Sequence, residues 1–151
     1  MSANVDITSK SPGETVEFGR KLGAQLRGGE IIGLYGPLGS GKTHLIKGIA
    51  AGAGAEDRTE VNSPTFVIIN EYAGRLRVYH IDAYRITSLA EFEMLGFDDL
   101  LSPESVVVIE WADKVEGIVS QTHPIRIDLR HEGRTRRAIV LDDLPAYIRV
   151  P

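Results

Sequence analysis

The stretch that most restricts this chain is Gly36-Pro-Leu-Gly-Ser-Gly-Lys-Thr43, set between a short apolar run and an amphipathic one. It matches G-x-x-x-x-G-K-[ST], the pattern of a P-loop, over its full length. Glycines at these spacings let the backbone curl so that its N–H groups point inward at phosphate oxygens. The helix that follows adds the positive end of its dipole. Lys42 is placed to reach the β- and γ-phosphates, and the Thr43 hydroxyl to ligate Mg²⁺. The context is the required one. Ile31-Ile-Gly-Leu-Tyr35 suits a strand covered on both faces, and Thr43 to about Ala51 reads as a helix. Gly36, Leu38, Gly39, Ser40, Gly41, Lys42, Thr43 and His44 are therefore the candidate nucleotide-contacting residues.

With 151 residues, the chain is expected to be a single domain over 1–151. At that size it buries about 68–70% of its unfolded surface, enough to need no staple. Cysteine is absent, which excludes a disulfide framework, a thiolate nucleophile and a cysteine zinc site. The four histidines, His44, His80, His123 and His131, never fall at the i, i+4 spacing of a helical metal pair. No apolar run is long enough for a membrane span, and the first residues lack the pattern of a signal peptide, so a cytoplasmic protein is expected. The net charge of −4 gathers in the middle: residues 56–118 carry five Lys/Arg against thirteen Asp/Glu. An acidic chain is a poor unaided binder of nucleic acid. The acidic middle reads as a solvated face or as a surface for a basic partner.

Ser11-Pro12-Gly13-Glu14 carries the signals of a helix start, and Phe18, Leu22 and Leu26 make its apolar stripe before Gly28-Gly29. Residues 52–63 read as an exposed loop. Thr65 to Tyr72 and Leu76 to Ile81 read as strands joined by a tight hairpin at Ala73-Gly74-Arg75. Ser88 and Glu91 mark a further helix start, with Leu89, Phe92 and Leu95 as its stripe. Val106-Val-Val-Ile109 is a strand running into Glu110, and 125–130 and 136–141 alternate as a second hairpin. Two hairpins beside a strand–turn–helix unit predict an α/β fold of the P-loop NTPase kind. Its sheet would be mixed and partly antiparallel, with helices on both faces.

A P-loop needs a carboxylate at a strand end across the site to hold Mg²⁺, and Glu110 has that setting. Asp82 ends another strand and is open to three roles: orienting the attacking water, binding Mg²⁺ through water, or capping the turn. His80 reads as a packed or hydrogen-bonded histidine or as a proton shuttle, and Arg85 as an ion-pair or phosphate partner. Thr65, in Ser63-Pro-Thr-Phe66, is a strand start or a switch hydroxyl near a γ-phosphate. Trp111 is core or a partner anchor. Arg126, Arg130, Arg134, Arg136 and Arg137 read chiefly as a solvated edge, with proximity to nucleotide or RNA as the alternative.

The order of the motifs is more specific than any one of them. After the P-loop come Ser63-Pro-Thr-Phe66, Asn70-Glu-Tyr72, His80-Ile-Asp-Ala-Tyr-Arg85, Glu91-Phe-Glu-Met-Leu-Gly96 and Ile109-Glu-Trp111. Over about residues 11–141 the chain resembles the TsaE (YjeE) family, small bacterial ATPases of tRNA threonylcarbamoyladenosine synthesis. The resemblance implies binding of ATP or ADP with Mg²⁺, weak ATP hydrolysis, and association with TsaD and TsaB, with tRNA reached indirectly through that complex. It makes Lys42 the phosphate lysine, Thr43 and Glu110 the Mg²⁺ residues, and Asp82 the acid needed for hydrolysis. Thr65 becomes part of a switch-like segment, and Trp111 lies beside the nucleotide. The chain departs from the family's usual pattern at Ser40 (commonly Ala), His44 (often Thr) and Ala83 (usually Leu). His44, close to phosphate, bears on affinity and its pH dependence. Two other classes share the P-loop: a small-molecule kinase, which would want an arginine-rich lid and an acceptor pocket, and a nucleotide-gated binding module whose hydrolysis is incidental.

Overall fold

A computed structural model describes residues 5–55, 57–61 and 67–150. In chain order its elements are β1 (Val5–Ser9), α1 (Pro12–Ala24), β2 (Ile31–Tyr35), α2 (Lys42–Gly52), β3 (Asp57–Val61), β4 (Ile68–Ala73) and β5 (Arg77–Asp82). There follow α3 (Leu89–Glu93), α4 (Phe97–Leu100), β6 (Ser105–Glu110), α5 (Glu116–Val119), β7 (Ile125–His131) and β8 (Arg137–Asp142). Short 3₁₀ turns at Ala112–Val115 and Ser120–Thr122 flank α5.

The strands form one sheet in the order β1-β8-β7-β2-β6-β5-β4-β3. β2 runs parallel to both β6 and β7, and β5 runs parallel to β6. The hairpins β4–β5 and β7–β8, with β3 and β1 outside them, add antiparallel flanks on either side. The mixed α/β sheet expected from two hairpins is thus present. Every residue of β6 is buried, and its apolar stretch Val106–Ile109 fits a strand covered on both faces. Alternate residues serve the two faces. Ile32, Leu34, Val106 and Val108 pack with Phe18, Leu22, Leu45 and Ile49 of α1 and α2. Val107, Ile109 and Ile81 pack with Phe92, Phe97, Val115 and Val119 on the opposite face.

α1 begins as its sequence dictates, with the Ser11 hydroxyl accepting from the Glu14 amide at 3.1 Å. At its other end the Arg75 guanidinium donates to the carbonyls of Leu26 and Gly23, at 2.8 and 2.9 Å. That puts a cation on the negative end of the helix. α1 and α2 meet backbone to backbone. A methyl placed on Gly48 would stand 2.1 Å from the Val16 carbonyl oxygen, and one on Gly52 would stand 2.0 Å from that of Arg20. The contacts advance in step along both helices, so the pair runs parallel with its two N-termini side by side. Glycine is the residue that permits an approach this close.

Several expectations are corrected. Residues 57–61 are an edge strand, not loop; their sequence, Asp-Arg-Thr-Glu-Val, lacks the apolar alternation of a half-buried strand, and charge on an edge discourages further pairing. β1 was not anticipated, although Val5-Asp-Ile-Thr alternates with period two and pairs with β8. Leu89 is 41% exposed rather than part of a buried stripe, because α3 lasts only five residues. The expected strand from Thr65 is described from Ile68; Ser63, Pro64, Thr65 and Phe66 lie outside the described residues. Among the described residues, no helix is long and apolar enough to cross a membrane.

The segment after β8 is clasped to the loop between α1 and β2. Tyr147 donates its hydroxyl to Glu30 Oε2 at 2.5 Å, while Glu30 also accepts from the amides of Arg27 and Gly28. Burial, then the Glu30 hydrogen bond, pushes the Tyr147 phenol up to about 12. The unfolded chain releases this proton near pH ~10, so the clasp contributes fully below that pH and is lost as pH rises through 12. Denaturant midpoints measured from pH 9 to 12 should therefore fall more steeply for the wild type than for Tyr147→Phe. Parallel curves would show that the clasp carries no such energy.

Candidate functional site

The glycine turn leaves the C-terminal end of β2 and enters α2, so the sheet fixes one side of it and the helix the other. Gly36 has φ 145° and lies so close to β7 that a methyl there would meet the Leu129 carbonyl at 2.5 Å. Gly41, at φ 103°, is the left-handed residue that turns the chain into α2. Both positions require glycine on geometric grounds. Leu38 projects at the tip, 77% exposed. Ser40 is fully buried and its hydroxyl has no hydrogen-bond partner among the described residues.

Lys42 is 4% exposed. Its ammonium donates to the Gly36 carbonyl and sits 3.1 Å from the centre of the Trp111 ring. Desolvation holds it below the ordinary lysine range, with Glu110, Asp113 and Asp82 acting in the opposite sense. Trp111 takes a left-handed conformation, φ 61°, that a bulky residue rarely adopts. It also packs against Tyr84, ring centroids 4.8 Å apart.

The acids arrive from adjacent parallel strands. Asp82 is paired in register with Glu110, so the two strand ends place both carboxyl groups at the same edge of the sheet. Glu110, 9% exposed, shares a 2.8 Å hydrogen bond between its Oε1 and His80 Nε2. An ionised carboxylate only accepts, so His80 is the donor and Oε2 stays available. His80 is therefore the hydrogen-bonded histidine among its expected readings, with Glu110 as the partner that the sequence did not name. Asp82 accepts the Tyr84 amide at Oδ1, 3.0 Å, which is the turn-capping role.

A cleft of about 250 Å³ runs over the glycine turn. Leu38, Gly39, Ser40, Gly41, Lys42, Thr43, His44, Glu110 and Trp111 line it. Gly36 and Asp82 are not among its walls, and Thr65 lies outside the described residues. Sequence reading missed Pro12 and Thr15, which the parallel helix pair brings to the cleft. Of the five arginines left between a solvated edge and proximity to nucleotide or RNA, Arg134 and Arg137 line the cleft, with Thr135. The five-arginine cluster itself was the available signal. Among the described residues no three His, Asp or Glu side chains converge as a metal cage.

Residues 9–139 match the family model described as threonylcarbamoyl adenosine biosynthesis protein TsaE. The chain is 37% identical over 122 residues to the tRNA threonylcarbamoyladenosine biosynthesis protein TsaE of Treponema pallidum, covering 81% of this chain and 88% of that one. The Bacillus subtilis protein of the same name is 38% identical over 130 residues, covering 85% and 79%. Among solved structures, Bacillus subtilis YdiB superposes with a TM-score of 0.72 at 28% identity, covering 98% of this chain and 90% of the other.

Proposed function

This chain belongs to the TsaE family of tRNA threonylcarbamoyladenosine biosynthesis proteins, and from that premise we propose that it is a P-loop ATPase acting as an accessory factor in the pathway. It binds ATP or ADP with Mg²⁺, hydrolyses ATP slowly, and supports turnover of a TsaD–TsaB transferase, reaching tRNA only through that complex. The observation that carries the reading is the convergence of the glycine turn, the buried Lys42 and the strand-end Glu110 on one cleft.

The chemistry follows from those groups. Amides of the glycine turn and the first turn of α2 receive the β-phosphate, and Lys42 exchanges its carbonyl and ring contacts for phosphate oxygens. The Thr43 hydroxyl and the Glu110 carboxylate are oxygen donors, which suit a hard cation that takes its remaining ligands from phosphate and water. Mg²⁺ bound there would neutralise charge on the phosphates. His80 holds Glu110 in place through Oε1. Asp82, with Oδ1 engaged by the Tyr84 amide, has Oδ2 to orient a water.

Hydrolysis of Mg²⁺-ATP by the purified chain, alone and with TsaD and TsaB, tests this beside Glu110→Ala. Stimulation by the pair is expected, and the variant should lose on the order of 10²–10⁴ in rate, as when a positioned catalytic group is removed. Normal hydrolysis by Glu110→Ala would defeat the assignment of that acid. Phosphoryl transfer to a metabolite would move the chain to the kinase class.

A further inference from the structure

The first turn of α2 faces two clefts. Thr43 lines the one over the glycine turn and also a second, of about 470 Å³, between α2 and the outer strands β3 to β5. Thr43, Ile46, Lys47, Ala50 and Ala51 recur at helical spacing and make one wall, aliphatic apart from Thr43 and Lys47. Strand register makes the other. Arg58 is paired with Tyr72 and Asn70 with His80, and Tyr72 lies two residues beyond Asn70 on β4, so these side chains share one face of the sheet. Each of them lines the cleft. Its charge is one-sided. Lys47 and Arg58 are exposed there and form no ion pair with any described residue, and the half-buried Asn70 amide and Tyr72 hydroxyl make no hydrogen bond with one. No Asp or Glu among the described residues lines the space, in a chain whose net charge is −4.

We propose that this cleft binds a small carboxylic acid with an apolar body, and that its occupancy opposes nucleotide binding in the neighbouring cleft. Two unpaired cations set the sign of the ligand, and a carboxylate accepts from both as well as from the amide and the phenol. The aliphatic wall of Ile46, Ala50 and Ala51 offers nothing to inorganic phosphate but removes an apolar body from water. The volume lies in the range of small-molecule sites, roughly 300–1,000 Å³. The coupling rests on the nucleotide-binding reading above; the binding does not. A carboxylate held at Lys47 sits one helical turn from Thr43 and engages a cation whose field otherwise favours the phosphates, so the two anions oppose each other. The sheet wall also carries His80, which holds Glu110 at 2.8 Å. By linkage, each ligand weakens the other by the same factor.

2-Naphthoate and its uncharged amide, 2-naphthamide, share one body and separate recognition of charge from recognition of shape. Titrated into the ¹⁵N-labelled full chain, 2-naphthoate is expected to shift the amides of 46–51, Arg58 and 70–72. Its dissociation constant should be on the order of 1 mM, as ordinary ligand efficiency gives for about thirteen heavy atoms. The amide should bind about tenfold more weakly, and so should the acid to Lys47→Gln or Arg58→Gln. Ala51→Leu, at an exposed helical position that tolerates leucine, fills the cleft and should abolish the shifts without lowering the melting temperature. In saturating 2-naphthoate, ADP with Mg²⁺ should bind about fivefold more weakly. Equal affinity for acid and amide, no saturable shift, or shifts confined to 36–44 would overturn the site. A capped acidic hexapeptide that binds more tightly than 2-naphthoate would assign the cleft to a partner's acidic segment instead. Unchanged ADP affinity would remove the coupling, whereas failure of ADP to bind at all would defeat the nucleotide reading and leave the acid site standing.

Discussion

Lys42→Met is expected to weaken ATP and ADP binding on the order of a hundredfold while leaving the melting temperature of the free protein unchanged or raised. The loss follows from removing charge-assisted hydrogen bonds to phosphate, each contributing roughly 1.5–3 kcal/mol. The stability result follows from burial. The ammonium is 4% exposed and held below the ordinary lysine range by desolvation, despite three carboxylates nearby. Methionine keeps the packing of the stem and removes a charge that the site disfavours until an anion arrives. Trp111, the one tryptophan in the chain, reports the binding because its ring carries the Lys42 ammonium. Titration by tryptophan emission and a thermal melt check both halves. An affinity within threefold of wild type would remove Lys42 from the site, and a large drop in melting temperature would make it a structural residue.

Gly48→Ala should be among the most damaging single-methyl changes in the chain. The added carbon would stand 2.1 Å from the Val16 carbonyl oxygen, and the obstacle is helix backbone, which has no rotamer to yield. Overpacking usually costs about 1–3 kcal/mol, and a clash that must separate two helices lies at or above the top of that range. For a chain of this size, roughly 3 kcal/mol corresponds to a fall on the order of 10 °C. Gly13→Ala is the control: its nearest non-neighbouring atom is the Ser11 hydroxyl at 3.7 Å, an ordinary contact. If the two variants melt together, the close helix contact is not holding the fold.

What was legible in the sequence was whatever local chemistry determines. The glycine turn, the capped start of α1, the branched strand before Glu110 and both hairpins each rest on neighbours a few residues apart. The polar edge strand at 57–61 was not legible, because its place comes from pairing with β4 rather than from its own pattern. In the site, the phosphate half was readable from one contiguous motif. The hairpin half was not: Arg134 and Arg137 lie nearly a hundred residues from Gly39, and their approach depends on β7 pairing beside β2. His80 and Glu110 meet for the same reason, through the register of β5 on β6. Long-range pairing is the information that spacing along a chain does not carry.

The side-by-side, parallel course of α1 and α2 has an electrostatic cost. Two helices aligned in the same direction set like ends together, so their partial positive charges repel at the mouth of the cleft, near Pro12 and Lys42. Side chains between such helices would let them splay; glycines at 19, 23, 48 and 52 leave no cushion, and the repulsion stays confined where it is. An anion seated there relieves it for both helices together. Ligand binding should accordingly stabilise the whole helix pair, so that amides deep in α1, far from any phosphate contact, exchange more slowly with solvent deuterium once nucleotide is bound.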